Sequence, residues 1–216
     1  GPDTVSTVAD HADGAAWVDA GFAWLGVNYR GSSTFGEQFQ QAIYGMPAEW
    51  FRDDLTAGAN YLVSAGIAQE GGLFLSGTRY GGFVALLALS KSPDLWAGAM
   101  VKSPVTDWTI LHEAGSDTLK AHIEAMFGGN PSEFNVQYRN SSALSLADNV
   151  GAPVLIHANK ADPNLPEAQI TDYAKRLQDN EIPVDVVWMG DQHLSVLQQQ
   201  ITRMNWAKTH IKKRRT

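Results

Sequence analysis

The chain of 216 residues contains no cysteine, which excludes disulfide bonds and thiolate catalysis. It also lacks an apolar run of about 18 residues, so no membrane-spanning helix is predicted. The opening residues, Gly1 to Thr4, have neither the basic nor the apolar region of a secretory signal peptide, and none is predicted. Acidic residues outnumber basic ones by 23 to 16, and the net charge of −7 argues against a nucleic-acid surface. The predicted partners therefore include neither nucleic acid nor a membrane.

What the chain does contain is ordinary for a globular domain: 44% of its residues are hydrophobic, and no repeat or low-complexity linker divides it. We predict a single domain over residues 1–216, as part of a longer parent chain. The one basic run, residues 212–215, is interpreted as a solvated helix end, with a phosphate-binding or targeting tail as the alternative. No His-x-x-x-His pair is present, and neither a metal site nor a cofactor is predicted.

Strand-like and helix-like segments alternate along the chain. Alternation of this kind predicts a doubly wound, mostly parallel sheet with right-handed crossovers. A near-continuous apolar segment is typical of a strand that is covered on both faces. The predicted strands cover residues 22–29, 73–77, 97–101, 154–157 and 184–188. The predicted helices cover residues 5–20, 48–66, 82–91, 116–127, 167–179 and 195–211, and residues 128–142 are predicted to form an irregular loop.

The segment of residues 73–83 has the layout of a nucleophile elbow, but without its nucleophile. An apolar strand leads into a glycine-flanked turn and then into a helix. In the Gly-x-Ser-x-Gly form of this turn, a serine hydroxyl is lifted above the end of a parallel sheet. Here the frame is Gly77-x-Arg79-x-Gly81. A guanidinium group stays protonated and carries only donors, so Arg79 cannot attack a carbonyl carbon.

Five further segments carry motifs that span nearly the whole chain: residues 28–39 (NYRGSSTFG followed by Phe39), 80–82 (YGG), 103–108 (SPVTDW), 157–166 (HANKADPNLP) and 190–193 (GDQH). In this order they resemble the prolyl oligopeptidase family of serine peptidases, and the acylaminoacyl-peptidase-like branch in particular. The resemblance implies an α/β-hydrolase-like fold and hydrolysis of short or N-acylated peptides. It implies a short peptide or acyl-peptide as the ligand.

The resemblance also assigns the positions of a catalytic triad. Arg79 stands at the serine position, Asp162 at the aspartate position and His193 at the histidine position. The oxyanion donors would be the backbone N–H groups of Tyr80 and Gly1. Asp162 and His193 each follow a predicted strand, where such sheets place their sites.

Departures from the family pattern lie beside all three triad positions. Arg79 replaces the serine, Ala158 replaces a glycine ahead of Asp162 in a loop that is one residue longer, and Leu194 follows His193. We therefore expect a member of this lineage that is inactive or impaired. Two alternatives stay open: a hydrolase of altered mechanism, with water activated by His193, and a non-catalytic module that binds a peptide or partner. For Arg79, the alternatives are a salt bridge to Asp162 and binding of an anion or a peptide carboxylate.

The resemblance further implies that the first strands of the sheet are missing. In the family, a strand ending in His-Gly-Gly-Pro lies between the strands predicted at 22–29 and 73–77. Gly1-Pro2 is either the end of that motif or a cloning remnant. Unpaired buried backbone groups cost about 1–3 kcal/mol each. We therefore expect a complementing N-terminal segment, or a homo-oligomer, to complete the sheet.

Overall fold

A computed structural model describes residues 2–7, 12–189 and 195–211. The strands are β1 (Phe74–Thr78), β2 (Gly98–Lys102), β3 (Val154–Ala158) and β4 (Val184–Trp188). The helices are α1 (Ala12–Asp19), α2 (Glu37–Gln41), α3 (Phe51–Ser64), α4 (Tyr80–Lys91), α5 (Trp108–Ala114), α6 (Asp117–Phe127), α7 (Asn135–Asn140), α8 (Ala168–Asp179) and α9 (Val196–His210). A 3₁₀ segment covers Ala143–Asn149.

The four strands form one parallel sheet in the order β1-β2-β3-β4. Phe74 pairs with Gly98, Ala99 with Val154, and Val154 with Val184. All five residues of β3 are buried, as expected for a strand that is covered on both faces. The predicted parallel α/β sheet is therefore confirmed for these four strands, and their carboxyl ends define one edge, which bears the candidate site.

Helices cover both faces of this sheet. Ten of the twelve residues of α4 are buried, so this helix runs through the main core. The main core also takes in buried side chains of α3, α6 and α8. On the opposite face, Trp17 of α1 and Trp206 of α9 pack with Met100 and Leu155 in a second, smaller cluster. None of the described helices is both long and apolar enough to cross a lipid bilayer.

The prediction of a strand at residues 22–29 is wrong in one respect. The segment is extended, but it belongs to no ladder within the described chain. Its side chains are nevertheless packed: Phe22 and Trp24 lie against the second cluster, and Tyr29 lies against the main core. A strand is defined by the hydrogen bonds of a neighbour, and here a cavity separates the segment from β1.

Two other boundaries differ from the prediction. Residues 4–7 are not helical, because the Ser6 N–H donates to the Asn28 side chain (2.8 Å) and ties the segment to residues 28–33. The loop predicted over 128–142 contains α7. The packing of Tyr138 accounts for this helix: its ring is fully buried and stacks on the ring of Phe127, with the centroids 4.0 Å apart. Such burial supplies the stability that the polar local sequence lacks.

Candidate active site

The turn between β1 and α4 has the geometry of a nucleophile elbow. Arg79 sits at its apex with φ 55° and ψ −116°, a backbone conformation that non-glycine residues rarely adopt. A β-carbon at Gly77 would lie 2.1 Å from the carbonyl oxygen of Gly81, and one at Gly82 would lie 2.9 Å from Cβ of Pro104. The two glycines thus allow the strand, the helix and the neighbouring loop to approach closely. Only Gly77 belongs to the Gly77-x-Arg79-x-Gly81 frame that predicted the elbow, and a β-carbon at Gly81 would meet nothing within 4 Å.

Backbone hydrogen bonds hold the apex in place on both sides. The Arg79 N–H donates to the carbonyl of Lys102 at the end of β2 (3.0 Å), and the Arg79 carbonyl accepts from the N–H of Phe83 in α4 (3.0 Å). A residue held at such φ and ψ values costs about 1–3 kcal/mol, and the strain persists only where the surroundings over-determine it. The two hydrogen bonds fix the Arg79 backbone in this conformation, so the side chain of residue 79 lies above the carboxyl edge of the sheet.

Arg79 makes an ion pair with Asp162. The distance from Nη2 of Arg79 to Oδ2 of Asp162 is 2.5 Å. The two partners differ in exposure: 46% of the Arg79 side chain is accessible to solvent but only 6% of the Asp162 side chain. Asp162 follows β3 in a tight turn, where its Oδ1 accepts from the N–H of Asn164 (3.0 Å). Arg79 therefore supplies the charge that a buried carboxylate needs.

The backbone N–H of Tyr80 lies beside the elbow apex. Tyr80 is the first residue of α4, so its N–H precedes the first helical hydrogen bond and has no acceptor within the helix. The ring points into the core, with centroids 6.0 Å from Phe51, 5.3 Å from Phe83 and 5.9 Å from Trp108. Burial holds the pKa of the Tyr80 phenol well above its usual value, so the group stays neutral. Only the backbone of Tyr80 is suited to an oxyanion role.

Comparisons with known proteins agree with this geometry. Residues 11–213 match the model of the prolyl oligopeptidase family. The chain belongs to the prolyl oligopeptidase family. It is 28% identical over 181 residues to dipeptidyl aminopeptidase BIII of Pseudoxanthomonas mexicana, covering 82% of this chain and 26% of that protein. It is 24% identical over 203 residues to acylamino-acid-releasing enzyme 2 of Oryza sativa subsp. japonica, covering 88% and 26%. The chain thus spans about a quarter of the length of these curated relatives.

A solved structure supports the same assignment. The acylaminoacyl peptidase of Pyrococcus horikoshii superposes with a TM-score of 0.73 and 26% sequence identity, covering 86% of this chain and 32% of that one. The fold is therefore α/β-hydrolase-like, and the chain is a prolyl oligopeptidase-family peptidase domain that corresponds to only part of such a peptidase.

Two of the predicted site residues of this family domain lie outside the described residues. His193 belongs to the connection between β4, which ends at Trp188, and α9, which begins at Val196. Gly1 precedes the first described residue. Of the five predicted positions, the structure therefore brings together Arg79, Tyr80 and Asp162. The catalytic roles assigned to all five remain predictions.

The SPVTDW segment of the family domain anchors the loop beneath the elbow. Asp107 caps α5 by accepting from the N–H groups of Thr109 (2.7 Å) and Ile110 (3.0 Å). The buried Gln169 side chain accepts from the N–H of Thr106 (2.7 Å) and donates to the carbonyl of Asp107 (2.6 Å). Asp107 is thus a loop anchor, and the described contacts give it a structural role. Gln169 was missed because its partner is distant in sequence.

His157 is a second feature that sequence reasoning did not identify. It is 2% exposed within β3, and its Nε2 atom has no hydrogen-bond partner among the described residues. Burial is the main cause that lowers the pKa of His157 to about 4, and the nearby cations Arg203 and Lys102 contribute to the same shift. The imidazole is therefore neutral at physiological pH. Among the described residues, no group of three metal-ligating side chains is present.

Proposed function

We propose that this chain is a peptidase domain disarmed at its nucleophile, from a lineage that hydrolyses short or N-acylated peptides. The observation that carries the proposal is the elbow itself: the strained apex is intact, yet a guanidinium ion-paired to Asp162 occupies it. The names of the relatives, which include acylamino-acid-releasing and dipeptidyl peptidases, support the substrate class.

Chemical considerations support the loss of activity. Acyl transfer needs a nucleophile that a neighbouring base can deprotonate. Arg79 has no lone pair to donate, and its ion pair occupies the carboxylate that would orient a histidine. In subtilisin, loss of the serine alone lowers kcat by about 10⁶. We expect a deficit of similar order here, on the order of 10⁵–10⁶ relative to a serine-bearing site.

The test is hydrolysis of a chromogenic acyl ester and of an acyl-peptide anilide by four proteins. These are the chain itself, Arg79→Ser, the matched control Arg79→Ala, and Arg79→Ser combined with His193→Ala. We expect turnover by Arg79→Ser alone, because serine restores the attacking hydroxyl whereas alanine only removes the guanidinium.

The outcomes separate the hypotheses. Turnover by the native chain would contradict the proposal, and loss of that turnover in a fifth protein, His193→Ala alone, would favour a hydrolase with activated water. A folded Arg79→Ser variant that hydrolyses neither substrate would show that more than the nucleophile is lost. Equal turnover by Arg79→Ser and Arg79→Ala would place the nucleophile elsewhere.

A second function, binding of a peptide carboxylate, is favoured by the exposure of Arg79. Almost half of its side chain is accessible, although one nitrogen is paired with Asp162. A guanidinium has five N–H donors in a planar fork, so one carboxylate leaves donors for another. Titration of the chain with acidic peptides tests this function. Affinity unchanged in Arg79→Ala, with a free peptide carboxylate making no difference, would exclude it.

A further inference from the structure

A row of polar side chains crosses the carboxyl end of the sheet, on the face that α9 covers. Successive side chains of a strand point to opposite faces, so Lys102 shares a face with Met100, and His157 shares the same face with Leu155. Met100 and Leu155 belong to the second cluster beneath α9. Thr78 pairs with Lys102, and Lys102 pairs with His157. The apolar contact between α9 and the sheet therefore ends in a polar row of these three residues.

The side of α9 that faces the sheet changes character at the same place. Residues spaced by three or four lie on one side of a helix, which groups Gln200 and Arg203 with Ala207. Gln199 lies four residues before Arg203 and joins the same side. Ala207 is fully buried in the second cluster. Toward the beginning of the helix, two amides and a guanidinium thus stand where further apolar side chains would extend that cluster.

A cavity of about 140 Å³ lies between this part of α9 and the strand ends. The polar residues that line it are Thr78, Lys102, His157, Gln199, Gln200 and Arg203. No acidic side chain among the described residues lines it. A water molecule takes about 30 Å³ in the liquid, so the cavity has room for a small polyatomic ion and not only for a single water.

The charges of the described residues around this cavity are unbalanced. Burial is the main cause that lowers the pKa of His157, and Arg203 and Lys102 lie close enough to add to the shift. Lys102 Nζ donates to Oε1 of Gln199 (3.3 Å), and Arg203 donates to Oγ of Ser76. Both of these acceptors are neutral. Two cations that share a partly buried site repel each other more strongly than they would in water, so an anion between them is favoured.

His157 provides an independent observation. Its side chain is 2% exposed, and its Nε2 atom has no hydrogen-bond partner within the described part of the chain. Buried polar atoms in folded proteins nearly always have a partner. A neutral imidazole can donate from Nε2, and a hydrogen bond to a charged oxygen is stronger than one to a neutral acceptor. One anion in the cavity would therefore satisfy the imidazole and neutralise the cations at the same time.

We propose that this cavity binds a small tetrahedral oxyanion, phosphate or sulfate, through Lys102, His157 and Arg203. Donors reach the cavity both from the strand ends and from α9. A tetrahedral oxyanion carries acceptor oxygens on all sides and matches this arrangement better than a planar carboxylate. The proposal goes beyond the peptidase-like function and does not depend on it, because none of the predicted triad or oxyanion positions takes part. The bound anion would join α9 to the ends of β2 and β3.

Titration of the 216-residue chain with inorganic phosphate tests the proposal, with chloride holding the ionic strength constant. The ¹⁵N chemical shift of Nε2 of His157, measured by NMR, should move in a saturable way. The melting temperature should also rise, by about 3–6 °C for each tenfold increase in phosphate concentration above Kd. Sulfate should compete with phosphate, whereas acetate should bind at least about tenfold more weakly, because it lacks the additional acceptor oxygens.

Two variants and one control sharpen the test. Lys102→Met removes a cation but keeps an unbranched side chain, and it should weaken phosphate binding at least about tenfold. Lys175→Met is the matched control, because it removes the same charge from an exposed position on α8 and should leave the affinity unchanged.

Gln199→Glu is nearly isosteric and places a carboxylate against Lys102, so it tests the site even if Lys102→Met does not fold. We expect this variant to lose phosphate binding and to melt above the native chain in phosphate-free buffer.

Several results would overturn the proposal. A His157 signal that does not respond to phosphate in the folded chain would mean that water satisfies the imidazole. Equal phosphate dependence of the melting temperature in the native chain and in Lys102→Met would indicate a general salt effect. Equal affinity for acetate and phosphate would show that the site recognises charge alone. Asp191 lies outside the described residues, and phosphate binding that appears only in Asp191→Asn would identify a carboxylate of the chain itself as the occupant.

Discussion

Removal of Arg79 should destabilise the fold more than removal of its partner does. The argument rests on unequal exposure within the ion pair: 46% of the Arg79 side chain is accessible but only 6% of that of Asp162. In Arg79→Met, a buried carboxylate loses its cation and keeps the N–H of Asn164 as a donor. The loss should lie between that of an exposed pair, about 0–1 kcal/mol, and that of a broken buried pair, about 3–5 kcal/mol. We expect about 2 kcal/mol.

Substitution of the other partner, Asp162, should lower the free energy of unfolding by less. Asp162→Asn leaves a guanidinium that water can reach, and the asparagine oxygen can still accept from the Asn164 N–H. Its cost should therefore stay near that of an exposed pair, about 0–1 kcal/mol. In the Asp162→Asn background, Arg79→Met should cost about 1 kcal/mol less than in the native chain, because no buried charge is left behind.

Urea denaturation at pH 7 of the native chain, both single variants and the double variant measures these terms, since ΔG is linear in denaturant. Arg79→Met suits the cycle because methionine keeps an unbranched side chain at the strained apex. A larger loss for Asp162→Asn than for Arg79→Met would refute the reasoning. So would a coupling energy of zero.

Two further predictions concern His157 and the elbow glycines. The folded pKa of His157, about 4, lies below the ordinary 6.5, so its contribution to stability should be fully present above pH 6.5 and lost as pH falls toward 4. The loss should total about 3 kcal/mol, and a His157→Gln variant should show a flatter dependence of unfolding free energy on pH over that window; an unchanged slope would contradict the assignment. Gly77→Ala should cost at least about 3 kcal/mol in thermal or urea unfolding, because its β-carbon meets the Gly81 backbone at 2.1 Å. Gly81→Ala, which meets nothing within 4 Å, should be neutral or stabilising by up to about 1 kcal/mol.

Local patterns were sufficient for the elements that position the site. The apolar runs of β1 to β4 lie within one residue of their predicted bounds, because buried parallel strands need continuous apolar sequence. The Gly77-x-Arg79-x-Gly81 frame predicted the elbow, and the close approach of the Gly81 backbone to residue 77 excludes a side chain there. The loop-anchor role of Asp107 could also be predicted, since capping is decided within three residues.

Properties that depend on a distant partner could not be predicted in the same way. Residues 22–29 have the composition of a strand, yet whether they pair is decided by what lies beside them. Here a cavity lies between them and β1. The burial of His157 and the Gln169 bonds to residues 106 and 107 likewise arise only when separate segments meet.

Sequence by itself determined the alternation of the fold, the elbow and the absence of a hydroxyl at its apex, because each of these is encoded within a few neighbouring residues. Tertiary structure alone decided that the Arg79 guanidinium faces a carboxylate 83 positions away at 2.5 Å, and that this carboxylate is buried whereas the guanidinium is half exposed. Charge pairing and desolvation depend on distances in space, which the order of residues along the chain does not contain.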